Sequence, residues 1–190
     1  MSKGFLERIA DIGAAGPALT NTVTATSLFT DGEKPTIAAK YFERIGKSLE
    51  FEFSGRISNM NPTPGTIQFD IKFGSIVVAS SLLIPLNTTV AKSSVHWAMK
   101  GRLVCRAIGS GTNGKLIPGD WWILSEAVIG SPLPSAGGSG TLLLPFNTAP
   151  VVGNGFDTTV SNQLDLLATF SIANAANSVT LETASFDVWS

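Results

Sequence analysis

The chain has 190 residues, 44% hydrophobic and 14% charged, with a net charge of −1. That length suits one domain with a sizeable core, and the near-neutral balance gives no basic field for nucleic acid or an anionic membrane. A single cysteine, Cys105, excludes an intrachain disulfide, and no apolar run approaches the roughly 18 residues of a membrane span.

Residues 1–17 begin with a helical spacing, in which Phe5, Leu6, Ile9 and Ile12 share a face and Lys3, Glu7, Arg8 and Asp11 lie elsewhere. The spacing predicts a short helix ended by Gly13, Gly16 and Pro17. It precedes no apolar core of a signal peptide, so a soluble protein made in a cytoplasm is expected. A helix of about ten residues is marginal alone in water. It therefore either caps its own domain or acts as an arm on a neighbouring subunit or a larger partner, with Phe5, Leu6, Arg8 and Ile9 as candidate contacts. Leu19 to Phe29 is rich in Thr and suits a strand or an extended arm. The predicted organisation is an arm over residues 1–30 and a β domain over 31–190. Residues 37–46 read as one or two helical turns or as a loop crossing the end of a barrel, with Tyr41, Phe42 and Ile45 toward the core.

From there the pattern is that of strands. Leu49, Phe51, Phe53 and Ile57 alternate with Glu50, Glu52, Ser54 and Arg56, with Gly55 as a candidate bulge. The tight connection Asn61-Pro62-Thr63-Pro64-Gly65 leads to Ile67, Phe69, Ile71 and Phe73, predicted as the second strand of a hairpin. The longest strand signal is Val95–Ile108. Val95, Trp97, Met99, Leu103 and Cys105 share one parity, and His96, Lys100, Arg102 and Arg106 the other. A bend is expected at Gly101. The basic stripe Lys100, Arg102 and Arg106 is either a solvated sheet face or a contact with another subunit or a larger protein partner.

Gly109 to Gly114 matches G-x-G-x-x-G after a strand, but no helix pattern follows to hold a pyrophosphate, so a hairpin loop is expected. Trp121 to Ile129 is a strand of mixed parity, buried on both faces or partly in a subunit contact. Its pair Trp121-Trp122 is a candidate glycan-stacking platform, served by loops 109–120 and 131–140, against a plain core role. A short strand at Thr141–Phe146 and a strand around Leu164 to Ile172 follow. The last strand, Val179 to Val188, changes parity, which predicts a bulge near Thr183.

No catalytic constellation emerges. His96 and Cys105, the only residues of their types, fall on opposite faces of one strand, which removes a nucleophile pair and a zinc set within the chain. Asp120 and Glu126 flank the Trp pair and are the carboxylates a glycan-cleaving site would use. The expectation is a protein that is not an enzyme and has no cofactor. Its low charge favours an assembled protein whose subunits hide apolar surface from one another.

The motifs Ser54-Gly55-Arg56-Ile57-Ser58, Thr63-Pro64-Gly65-Thr66 and Phe69-Asp70-Ile71-Lys72-Phe73-Gly74 resemble a group of tailed-bacteriophage virion proteins. The likeness continues through Trp97, Leu103 to Gly109 and Trp121 to Ser125, and covers about residues 37–130. The resemblance implies an antiparallel β-sandwich, jelly-roll-like, of about eight strands. It also implies a capsid decoration (cement) protein, commonly a homotrimer, bound to the phage major capsid protein on the head surface. The alternative within the same resemblance is a receptor-binding, glycan-binding head domain of a tail fibre or another appendage.

Overall fold

A computed structural model describes residues 6–128 and 140–189, with side chains for 7–128 and 140–188. Its strands are β1 (Leu6–Ile12), β2 (Leu19–Thr20), β3 (Thr26–Ser27), β4 (Thr36–Ile37), β5 (Ser48–Asn59), β6 (Thr66–Phe73) and β7 (Ile76–Ser80). They continue with β8 (Ile84–Pro85), β9 (Lys92–Ala107), β10 (Lys115–Ser125), β11 (Thr141–Leu143), β12 (Asn162–Phe170) and β13 (Ser178–Trp189). Eight of the strands have five residues or more, and no helix occurs among the described residues. One sheet runs β1-β13-β5-β9-β10-β11, with β2 added to β13; the other runs β3-β12-β6-β7, with β4 on β12 and β8 on β6. All pairings are antiparallel.

Alternation builds the sandwich. The inward residues of β5 and β9, among them Phe51, Phe53, Trp97 and Met99, face Ile67, Phe69, Leu166 and Phe170 of the other sheet in one core. Phe69 stacks on Trp97 across the sandwich at 5.2 Å between ring centroids, and Phe29 meets Phe53 edge-on at 6.3 Å. Burying aromatic rings from both sheets removes the apolar area that makes a two-layer fold stable. Leu19, Leu28 and Phe29 belong to this core, so the segment before residue 30 packs into the sandwich.

Several expectations are corrected. The predicted N-terminal helix is strand β1, paired with β13 through Ala10↔Phe186 and Ile12↔Ala184, with a register shift between Arg8 and Ala10. That irregularity lets a sequence without strict alternation lie on a sheet edge, where β13 supplies backbone partners and a packed face that an isolated short helix would lack. The predicted hairpin is not one. β5 pairs with β13 and β9, while β6 pairs with β12, β7 and β8, so Asn61–Gly65 carries the chain from one sheet to the other. Residues 37–46 take the loop alternative beyond the two residues of β4. Phe42 is buried there, but Ile45 is 66% exposed.

At Gly101, where the sequence predicts a bend, the register of β9 itself is unbroken. β9 keeps a continuous register with β5 from Val95 to Val104. The irregularity sits in the neighbouring strand, where Gly119 opposes Arg102 and Trp122 opposes Lys100, leaving Asp120 and Trp121 against Gly101. This bulge reverses the parity of β10, so Leu116 before it and Trp121 and Ile123 after it all point inward. Gly101 is what gives it room, because a Cβ there would lie 2.7 Å from Cζ of Phe51 and 3.0 Å from Cβ of Trp121. Likewise the parity change in β13 is a register shift between Leu181 and Thr183, opposite Gly55 and Ser54.

Candidate interaction surface

The outer face of the larger sheet carries most of the candidate residues. Lys100 faces Glu52 at 3.8 Å and Arg102 pairs with Asp120 at 2.7 Å. Both partners come from adjacent strands, through the register Glu52↔Lys100 and through the β10 bulge that turns Asp120 toward β9. The predicted basic stripe is thus neutralised at two of its three positions. Only Arg106 has no ion pair or side-chain hydrogen bond among the described residues.

The Trp pair is divided by the fold. Trp121 is 1% exposed, edge-on to Phe51 at 5.9 Å, and its Nε1 has no hydrogen-bond partner. It cannot serve as a stacking platform for a sugar. Trp122 lies half-buried on the outer face, opposite Lys100 on one side and Leu143 on the other. Next to it are Leu124, 43% exposed, and Leu143, 78% exposed. Trp122, Leu124 and Leu143 form an apolar band where the sheet ends at β11. Of the binding loops proposed with the Trp pair, 109–114 is a β9–β10 hairpin loop, and residues 131–139 lie outside the described residues.

That hairpin loop is pinned rather than open. Gly114 and Phe156 exchange two backbone hydrogen bonds of 2.9 Å, and Thr158 donates its N–H to the Gly109 carbonyl at 3.0 Å. The Asp157 carboxylate accepts from the Gly111 N–H at 2.8 Å, and from the N–H and hydroxyl of Thr159 at 2.8 and 2.6 Å. Those donors, led by the Thr159 hydroxyl, hold the Asp157 carboxyl below the usual carboxylate range.

At the N-terminus, Phe5 and the Leu6 side chain lie outside the described residues. Arg8 is engaged within the chain by Asp187 at 3.0 Å and Asp11 at 3.3 Å, and Ile9 packs against the core. Among the carboxylates, Asp120 is held by Arg102. Glu126 accepts a hydrogen bond from Lys92 at 2.7 Å, which also lowers its pKa. His96 is exposed on the outer face, while Cys105 is buried on the inner one with its thiol pKa pushed up by burial. No group of three or more His, Cys, Asp or Glu is arranged to hold a metal ion among the described residues. An apolar groove of about 220 Å³ lies between β7 and the segment 145–154, lined by Val77, Ala79, Leu82, Pro118, Pro145 and Val151.

No family model and no curated protein matches this chain. Among solved structures it is similar to the CBM2 module of Lactobacillus casei BL23 phage J-1 evolved Dit, at 12% identity and a TM-score of 0.40, over 99% of this chain and 98% of that one. A likeness of that degree carries no argument about function.

The sequence reading missed four exposed residues that the fold makes prominent. Leu124 and Leu143 were hidden in strands of uncertain parity, and the β10 bulge alone decides that Leu124 points outward. Ile45 and Ile108 are 66% and 45% exposed at the opposite tip of the same sheet. Ile108 falls on the outward parity of the Val95–Ile108 pattern, whereas Ile45, expected toward the core, lies in a connection where alternation gives no signal.

Proposed function

We propose that the chain is a structural virion protein of a tailed bacteriophage, a homotrimeric capsid decoration protein that binds and stabilises the major capsid protein shell from the head surface. The observation that carries this reading is the band Trp122, Leu124 and Leu143, apolar side chains left on the outer face of a sheet whose inner face is already filled. Single exposed leucines are ordinary, but a contiguous group beside β11, the last strand of the sheet among the described residues, on a chain with only 14% charged residues suits contact between subunits. Fully burying a leucine contributes about 1.5–3 kcal/mol, so a few such residues repeated around a three-fold axis hold a trimer. The motifs over residues 37–130 that resemble phage virion proteins support the virion role. The glycan-binding alternative has less support, because its platform loses Trp121 to the core. In this reading the protein performs no catalysis and takes no cofactor; it acts through its surfaces.

The subunit part of the proposal is checked by light scattering on the purified protein. The expected mass is that of three chains, and Leu124→Asp with Leu143→Asp should give a monomer with an unchanged β circular-dichroism spectrum. A monomer for the unaltered chain at micromolar concentration would overturn the trimer.

A further inference from the structure

The one cation of the basic stripe without a partner, Arg106, lies at an end of the sandwich where other unpaired cations gather. The chain entering β5 runs beside the end of β9, with Gly46 N–H donating to the Cys105 carbonyl and Cys105 N–H donating to the Lys47 carbonyl, both at 2.8 Å. Gly46 and Lys47 therefore lie beside Cys105, and Arg44 and Ile45 belong to the turn that the Lys47 N–H closes on the Arg44 carbonyl at 3.3 Å. Lys40 is tied to the same end, because its N–H donates to the Thr158 carbonyl at 2.9 Å and Thr158 in turn bonds Gly109. Lys40, Glu43, Ile108 and Thr159 line one shallow depression there.

Lys40, Arg44 and Arg106 are all exposed, and none has an ion pair or side-chain hydrogen bond among the described residues. Arg8, Lys34, Lys47, Arg56, Lys92, Lys100 and Arg102 each have a carboxylate partner, whereas Lys72 and Lys115, both half-buried, have none either. The nearby acid Glu43 is held by Lys47 at 3.6 Å. Ile45, which follows Arg44 in the chain, and Ile108, close after Arg106, are 66% and 45% exposed. A chain of net charge −1 thus carries at this end three cations without an ion pair, in the same region as the carboxylates of Glu43 and Asp157 and near exposed apolar side chains, a pattern that suits an acidic protein surface with apolar residues of its own.

We propose that this end, Lys40, Arg44, Ile45, Arg106 and Ile108, is the surface that docks onto an acidic face of a protein partner. Resting on the proposed function, that partner is a subunit of the capsid shell. It is a different surface from the band at β11 through which the subunits meet.

The test uses phage heads assembled without this protein, and compares the unaltered chain with Lys40→Glu/Arg44→Glu/Arg106→Glu and with Arg56→Glu as a remote control. The expected result is that the triple variant stays folded and trimeric but binds heads at least about tenfold more weakly, since rim charges set association and its salt dependence, while Arg56→Glu binds normally. Undiminished binding by the triple variant overturns the docking surface and leaves the virion role standing. Failure of the unaltered chain to bind heads removes the capsid-decoration role instead. A leucine-containing polyglutamate peptide then decides the surface, by amide NMR shifts at residues 44–46 and 106–108. Shifts with the peptide support it; no shift, or shifts only with phosphatidylglycerol vesicles or duplex DNA, overturn it.

Discussion

Gly55 shows how a single absent side chain organises the larger sheet. It lies on β5 between Trp97 of β9 and Leu181 of β13, and the Trp97 indole reaches across it to donate to the Thr180 carbonyl at 3.1 Å. A Cβ at Gly55 would fall 1.9 Å from that carbonyl oxygen and 3.0 Å from the indole nitrogen. The obstacle is backbone, which cannot rotate away. Gly55→Ala should therefore cost about 2–3 kcal/mol, seen as a fall of roughly 5–10 °C in the thermal midpoint; an unchanged midpoint would mean that the indole bond is not what fixes these three strands. The glycine is visible in the sequence as an interruption of alternation. Its role is not, because the residues it serves are 42 and 125 positions further along, brought alongside only by the pairing of β9 and β13.

At the scale of elements, the β9–β10 loop should behave as a fixed structure whose lock titrates. The Asp157 carboxyl is held below its ordinary range by hydrogen bonds to its charged form, so the stabilisation is complete above the ordinary carboxylate pKa. It is lost as pH falls through the lower folded value. Hydrogen exchange should find the Gly111 and Thr159 amides protected at neutral pH, with that protection removed by Asp157→Asn or by acid, while the β5–β9 ladder stays protected. Equal protection in the variant would contradict the lock. The elements themselves were legible wherever one face is buried and the other wet: β5, β6, β9 and β12 follow the alternation of Phe51, Phe69, Trp97 and Leu166 with their polar neighbours. What alternation does not encode is which strand lies next to which. Asn61–Gly65 has turn chemistry that suits a hairpin and a crossing between sheets equally well, and β1 reads as a helix because its bulge breaks the period of two. The candidate surface suffered for the same reason. Lys100, Arg102 and Arg106 were visible as a stripe, but Glu52 and Asp120, which neutralise two of them, come from other strands.

Among the described residues the molecule is a filled sandwich, and besides the apolar groove between β7 and residues 145–154 two surfaces of different kinds stand out. One edge of the larger sheet ends in apolar side chains at Leu124 and Leu143, and one end of the sandwich gathers Lys40, Arg44 and Arg106 around Ile45 and Ile108. Neither has the enclosed polar lining of a small-molecule site. A protein that meets its own copies through the first surface and a larger shell through the second would act as a clamp, with three docking ends per trimer multiplying a weak single contact into strong avidity. Electron cryo-microscopy of phage heads incubated with the purified protein tests that account most directly. It predicts three-fold density on the outer surface of the head, with the tip formed by residues 40–46 and 106–109 against the shell. Bare heads, or density confined to the tail, would contradict it.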